Sequence, residues 1–107
     1  MSRGDAERVA DIFEVANELA EVVAVGREPF LASLLHIRAA ERLLEIIGEA
    51  SNALSDGYKE RHREVAWRDV VALRNLLAHH YHRIDPEQVW QIAATAVPEV
   101  VEKLEGR

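Results

Sequence analysis

At 107 residues the chain is the size of one domain, large enough to bury roughly 60 to 70% of the surface its unfolded form exposes, so folding needs neither disulfide nor metal. It has no cysteine, which excludes a disulfide framework, a zinc ribbon and a thiol nucleophile and suits a reducing cytoplasm. A net charge of −6 argues against coating nucleic acid by bulk electrostatics, and no apolar run suits a secretory segment or a membrane span, which predicts a soluble cytoplasmic protein, one domain over residues 1–107.

Good helix formers dominate, with apolar residues recurring every three or four positions and no alternation of the strand type. The first helix is expected from about Asp5 to Val25, burying Val9, Ile12, Phe13, Ala16, Leu19, Ala20 and Val23, and ending at Gly26, which accepts a left-handed turn. Pro29 suits the first turn of a second helix. That helix would turn Leu31, Leu34, Leu35, Ile37, Leu43, Leu44, Ile46, Ile47, Ala50 and Leu54 inward. Ser55-Asp56-Gly57 signals a turn, and the charged stretch after it reads as a loop or a short helix before Trp67. A third helix spans roughly Ala66 to His80. The fourth starts with Asp85 as N-cap, Pro86 in the first turn and Glu87 near the positive end of the dipole, then runs to Leu104 with a kink or break near Val97, ahead of Pro98. The expectation is an all-α, up-down bundle of about four helices.

The charge is uneven. Tyr58 to Arg83 carries six cations against three anions, and four of the five histidines, whereas the rest carries seven cations against sixteen anions. Within that segment the run Arg74-Asn75-Leu76-Leu77-Ala78-His79-His80-Tyr81 combines a permanent cation, an amide, imidazoles and a phenol. An arginine grips phosphate in a fork, and a histidine exchanges a proton near neutral pH. On a wheel of about 100° per residue, Arg74, Asn75, His79, Tyr81 and His82 share one arc, while Ala66, Val70, Leu73, Leu76 and Leu77 fall opposite, the predicted core side. His80 lands on the apolar side. A single helix face cannot enclose a substrate, so a catalytic strip there requires a cover, most simply the same strip of a second copy.

The run, followed by Ile84-Asp85, resembles the Arg-Asn-x-x-x-His-x-Tyr signature of the HepT-like branch of the HEPN superfamily. Ile47-Gly48-Glu49-Ala50-Ser51 with Leu54-Ser55 resembles that family's second helix, Trp67-Arg68-Asp69 its approach to the motif, and Val97-Pro98-Glu99 its last helix, so the similarity spans roughly residues 5 to 105. The resemblance implies a homodimer in which two motifs face each other across a composite cleft. It implies a metal-independent RNA endonuclease without a cofactor, the toxin of a toxin-antitoxin pair whose partner is an MntA-type minimal nucleotidyltransferase. Carried over by position, Arg74 and His79 would be catalytic, Asn75 supportive, and Tyr81 the tyrosine adenylylated by the partner. His80 and His82 make the segment richer in histidine than the motif requires.

A second reading is a non-catalytic subunit that accompanies a nucleotidyltransferase, binding substrate or regulating the partner. A metal site built on His79, His80, His82 and Asp85 competes less well: the wheel turns His80 away, and the Glu-x-x-His pair of di-iron bundles is absent. His36 reads as a satisfied interior or interface histidine, and Trp67 and Trp90 as core or interface anchors rather than stacking platforms. Tyr58, beside a positive loop, is a lesser candidate for stacking on a base.

Overall fold

The computed structural model describes residues 4–79 and 84–106, and of Ala78 and His79 the backbone. It is all helical, with no strand among the described residues: α1 (Asp5–Val23), α2 (Arg27–Leu31), α3 (Leu34–Asn52), α4 (Asp56–Arg61), α5 (Trp67–His79), α6 (Pro86–Gln91) and α7 (Val97–Leu104), the last two joined by a π-helical turn at Ile92–Ala96. No described helix is long and apolar enough to cross a membrane.

The centre is α3, whose most extensive interfaces are with α5 and α1. It buries Ile37, Ala40, Leu44, Ile47, Gly48 and Ser51, a spacing that puts them on one stripe of a 3.6-residue helix. Ile12, Val15 and Leu19 of α1, Trp67, Val70, Leu73 and Leu77 of α5, and Phe30, Leu54, Val65, Val89, Ala93 and Val97 complete the core. Each fully buried large aliphatic or aromatic side chain contributes about 1.5–3 kcal/mol relative to exposure.

The ends of the elements follow local chemistry, with corrections to the expected bounds. α1 stops at Val23, and Gly26 takes the left-handed conformation (φ 97°) that admits the turn. Ala20 is exposed, not buried, and Val15 fills the stripe between Ile12 and Leu19. The single helix expected from Pro29 to Leu54 is divided at Ser33, whose extended backbone and side chain start α3 by accepting from the His36 N–H at 3.2 Å. The buried stripe then begins at Ile37, and Leu34 and Leu35 in the first turn stand 64% and 77% exposed instead of facing the core.

Ser55 caps a short α4, accepting from Tyr58 N–H at 3.1 Å, and donates to Asp5 through both its hydroxyl (2.6 Å) and its backbone N–H (2.9 Å), tying α4 to the start of α1. Asp85 caps α6 through Glu87 N–H at 3.0 Å, as the sequence predicts. The irregularity expected near Val97 takes the form of a π turn ending at Ala96, and the helix runs on through Pro98. The wider π turn precedes it, because a proline nitrogen has no hydrogen to offer the carbonyl four residues back and its ring presses on that group. Arg27 grips Glu87 with Nε (3.1 Å) and Nη2 (2.8 Å), and Phe30 packs on Trp90 at 5.3 Å, so α2 is fastened to α6.

Candidate functional site

From Val70 to Leu77 the predicted faces of α5 are the ones observed. Val70, Leu73 and Leu77 are buried and Leu76 is half-buried, while Arg74 and Asn75 are exposed. Ala66, expected on the core side, is exposed, because it precedes the helix at Trp67. The α5 backbone reaches His79, the second residue of the expected pair; its side chain, and His80, Tyr81 and His82, lie outside the described residues.

Arg74 is located by its backbone. A methyl group on Gly48 of α3 would lie 2.6 Å from the Arg74 nitrogen and 3.1 Å from its Cα, closer than packed atoms approach. The two helices therefore touch main chain to main chain at the residue that begins the motif. Sequence reasoning missed this role; the signal available was a glycine inside a strongly helical stretch, where it costs about 1 kcal/mol against alanine unless a close approach requires it. Three residues on, Ser51 is fully buried, and its Oγ has no hydrogen-bond partner among the described residues. This seam needs small side chains, and the hydroxyl contributes no bond there.

The N-terminal end of α5 is anchored by aromatic packing. Trp67 is buried and donates Nε1–H to the His62 carbonyl at 3.0 Å, with Tyr58 edge-on at 6.1 Å, the core role expected of it. Tyr58 in turn stacks on His62 at 4.3 Å, so one face of the ring proposed for a base is already covered. Burial, then the charges of Asp5 and Glu64, push the pKa of the Tyr58 phenol upward against the opposing pull of Arg61. His36 is half-buried with Nδ1 at 2.7 Å from Ser33 Oγ, a local cap contact.

Neither Arg74 nor Arg68 makes a hydrogen bond or ion pair among the described residues. A cavity of about 510 Å³ lies elsewhere, between Val70, Leu73 and Leu76 of α5 and Ile92, Val97 and Val100 of the C-terminal run, and includes neither Arg74 nor Asn75. Arg74 and Asn75 thus lie exposed on the surface of α5, outside that cavity. Among the described residues no group of three His, Asp or Glu side chains converges as a metal site.

A profile of the family described as ribonuclease HepT-like matches residues 12–106. The chain is 35% identical over 107 residues to a candidate RNase of Methanocaldococcus jannaschii, covering 98% of each chain. It is 31% identical over 99 residues to a protein of Thermococcus cleftensis named probable ribonuclease HepT, covering 92% of this chain and 88% of the other. A third relative, a candidate RNase of Caldanaerobacter subterraneus, is 32% identical over 79 residues, or 74% of this chain and 70% of the other. No solved structure matches significantly.

Proposed function

The chain belongs to the HepT-like ribonuclease family, and from that premise we propose that it is a metal-independent RNA endonuclease, the toxin of a HepT/MntA-type pair, working as a homodimer. The observation that carries the reading is the exposed Arg74, without an ion-pair partner among the described residues, on a helix whose backbone packs against Gly48, beside an exposed Asn75. An arginine left free of carboxylates is available to a phosphate.

In this reading the substrate supplies its own nucleophile. The 2′-oxygen attacks the adjacent phosphorus as its proton passes to a neutral His79 imidazole. The bond to the 5′-oxygen breaks, and that oxygen takes a proton from a protonated His79, that of the second copy. The products are a 2′,3′-cyclic phosphate and a free 5′-hydroxyl. Such proton transfers are worth about 10²- to 10⁴-fold each. Arg74 binds the non-bridging oxygens by charge-assisted hydrogen bonds that strengthen as negative charge builds in the phosphorane. Asn75 supports the substrate from the same exposed face. Because α5 presents a strip and not a cavity, the second copy closes the site and excludes water. Adenylylation of Tyr81 by the nucleotidyltransferase partner would place a bulky anion seven residues along from Arg74, blocking the strip sterically and electrostatically.

The test is incubation with RNA and with DNA of the same sequence in EDTA, beside Arg74→Ala and His79→Ala. RNA is cut and DNA survives, and each variant loses at least about 10²-fold. Intact RNA with the wild type, or undiminished cutting by the variants, overturns the catalytic assignment in favour of the non-catalytic subunit.

A further inference from the structure

The exposed face of α5 extends beyond the motif. Six residues before Arg74 and seven before Asn75, Arg68 is exposed and falls, at about 100° per residue, within roughly 20° of Asn75 on the helix wheel. The separation along the axis is on the order of 10 Å, longer than one nucleotide step of an extended strand, so the two positions suit phosphates of one strand that are not adjacent.

Among the described residues the Arg68 side chain makes no ion pair. The arginines of α3 are neutralised locally, Arg38 by Glu41 and Arg42 by Glu45, each at 2.9 Å. Arg27 is held by Glu87, and Arg63 lies 3.8 Å from Glu60. Arg68 has an acid four residues before it, Glu64, the spacing of an intrahelical pair. Glu64, however, lies in the turn ahead of α5 and approaches His62 Nδ1 at 3.6 Å instead. Asp69, the next residue, lines the apolar cavity and so belongs to another side of the helix.

We propose that Arg68 is an RNA phosphate anchor, holding the flank of the strand along the exposed face of α5 just under two turns from Arg74. The inference rests on the ribonuclease reading for its substrate and adds a binding residue that does no chemistry. A cation acting on the backbone tightens all sequences equally and binds ground state and transition state alike.

The probe is a single-stranded RNA oligonucleotide, 2′-O-methylated throughout so that it has no nucleophile, titrated into the wild type, Arg68→Ala, Arg68→Lys and the control Arg38→Ala over a series of KCl concentrations. For single strands each phosphate neutralised contributes about −0.7 to the slope of log affinity against log salt. Arg68→Ala is expected to flatten the slope by about 0.7 for each protomer that touches the strand, and to weaken low-salt binding roughly threefold, equally for two unrelated sequences. Lysine restores the slope, and Arg38→Ala leaves it unchanged. With cleavable RNA, Arg68→Ala raises KM and preserves kcat. An unchanged slope, the same loss in Arg38→Ala, or a fall in kcat alone overturns the anchor. If the slope flattens but the wild type cuts no RNA, the anchor stands and the nuclease reading falls. If the wild type binds no RNA, both fall.

Discussion

Arg38 and Arg42 on the outer surface of α3 each reach a glutamate one turn on at 2.9 Å, whereas Arg68 and Arg74 on the outer surface of α5 have no carboxylate partner among the described residues. The difference follows from sequence: α3 places Glu41 and Glu45 three residues after its arginines, while the positions three and four away from Arg74 are Val70, Val71, Leu77 and Ala78. In stability the contrast is slight, because an exposed ion pair contributes only about 0–1 kcal/mol. In electrostatics it is large. The α3 surface is neutralised pair by pair and that of α5 is not, so a chain of net charge −6 keeps one cationic face for an anionic ligand. Overall acidity and local affinity for RNA are therefore compatible, since screening confines each charge to about 10 Å at moderate salt.

The sharpest way to break the comparison is to remove one arginine from each helix. Arg74→Ala is expected to lower RNA cleavage by about 10²- to 10³-fold while shifting stability by less than about 0.5 kcal/mol. Arg42→Ala is expected to shift stability by a similarly small amount, below about 0.5 kcal/mol, and to leave cleavage unchanged. Initial rates and thermal melts of the two variants decide it. Equal activity in both would mean that being unpaired confers no function.

Much of this asymmetry is legible in the sequence, because it depends on near neighbours. Periodicity gives the buried face of α5, from Val70 through Leu73 to Leu77, and with it the exposure of Arg74 and Asn75. Caps are equally local: Gly26 and Asp85 take the conformations that their side chains dictate. What stays hidden is decided by packing between distant segments. Leu31, Leu34 and Leu35 read as one apolar stripe, and only the capping bond of Ser33 to His36 starts a new helix and leaves the two later leucines outside. The contact of Gly48 with Arg74 joins positions 26 residues apart, and no local pattern announces it. Nor does spacing reveal that Glu64, at an ion-pairing distance in sequence from Arg68, turns toward His62.

That hidden seam supplies the next test, since the two helices differ in their outer faces yet share a backbone contact. In an open helix glycine to alanine gains up to about 1 kcal/mol. At Gly48 the added carbon would meet the Arg74 backbone nitrogen at 2.6 Å, and main chain cannot swing aside as a side chain can. Gly48→Ala is expected to lose roughly 1–3 kcal/mol, the range for overpacking a well-filled interior, and to melt several degrees lower. Cleavage at a temperature where the variant stays folded is expected to fall as well, because α5 must move outward at its motif. A variant as stable and active as the wild type would mean that the position of Arg74 does not depend on this contact.

The smallest expected effect concerns Arg61, an exposed cation at the end of α4, and asks whether a nearby acid has neutralised it. Asp5 is close enough for the two charges to attract, but its oxygens accept from the Ser55 hydroxyl at 2.6 Å and backbone N–H at 2.9 Å. Those two hydrogen bonds, ahead of the attraction to Arg61 and Arg8, hold the Asp5 carboxyl below its usual value of 3.8. A carboxyl whose folded-state pKa is depressed contributes its full stabilisation above the unfolded value and loses it as pH falls through the folded one. Asp5→Asn is therefore expected to melt slightly below the wild type at neutral pH, with the gap closing below about pH 4. Hydrogen bonds of this kind are screened far less than a solvent-exposed charge pair. Melts of both proteins from neutral to strongly acid solution, repeated at high salt, separate the causes. A gap that persists in acid would mean that the carboxylate charge is not what Ser55 holds. A gap that salt abolishes would mean that the attraction to Arg61 and Arg8, and not the bonds from Ser55, is what holds Asp5.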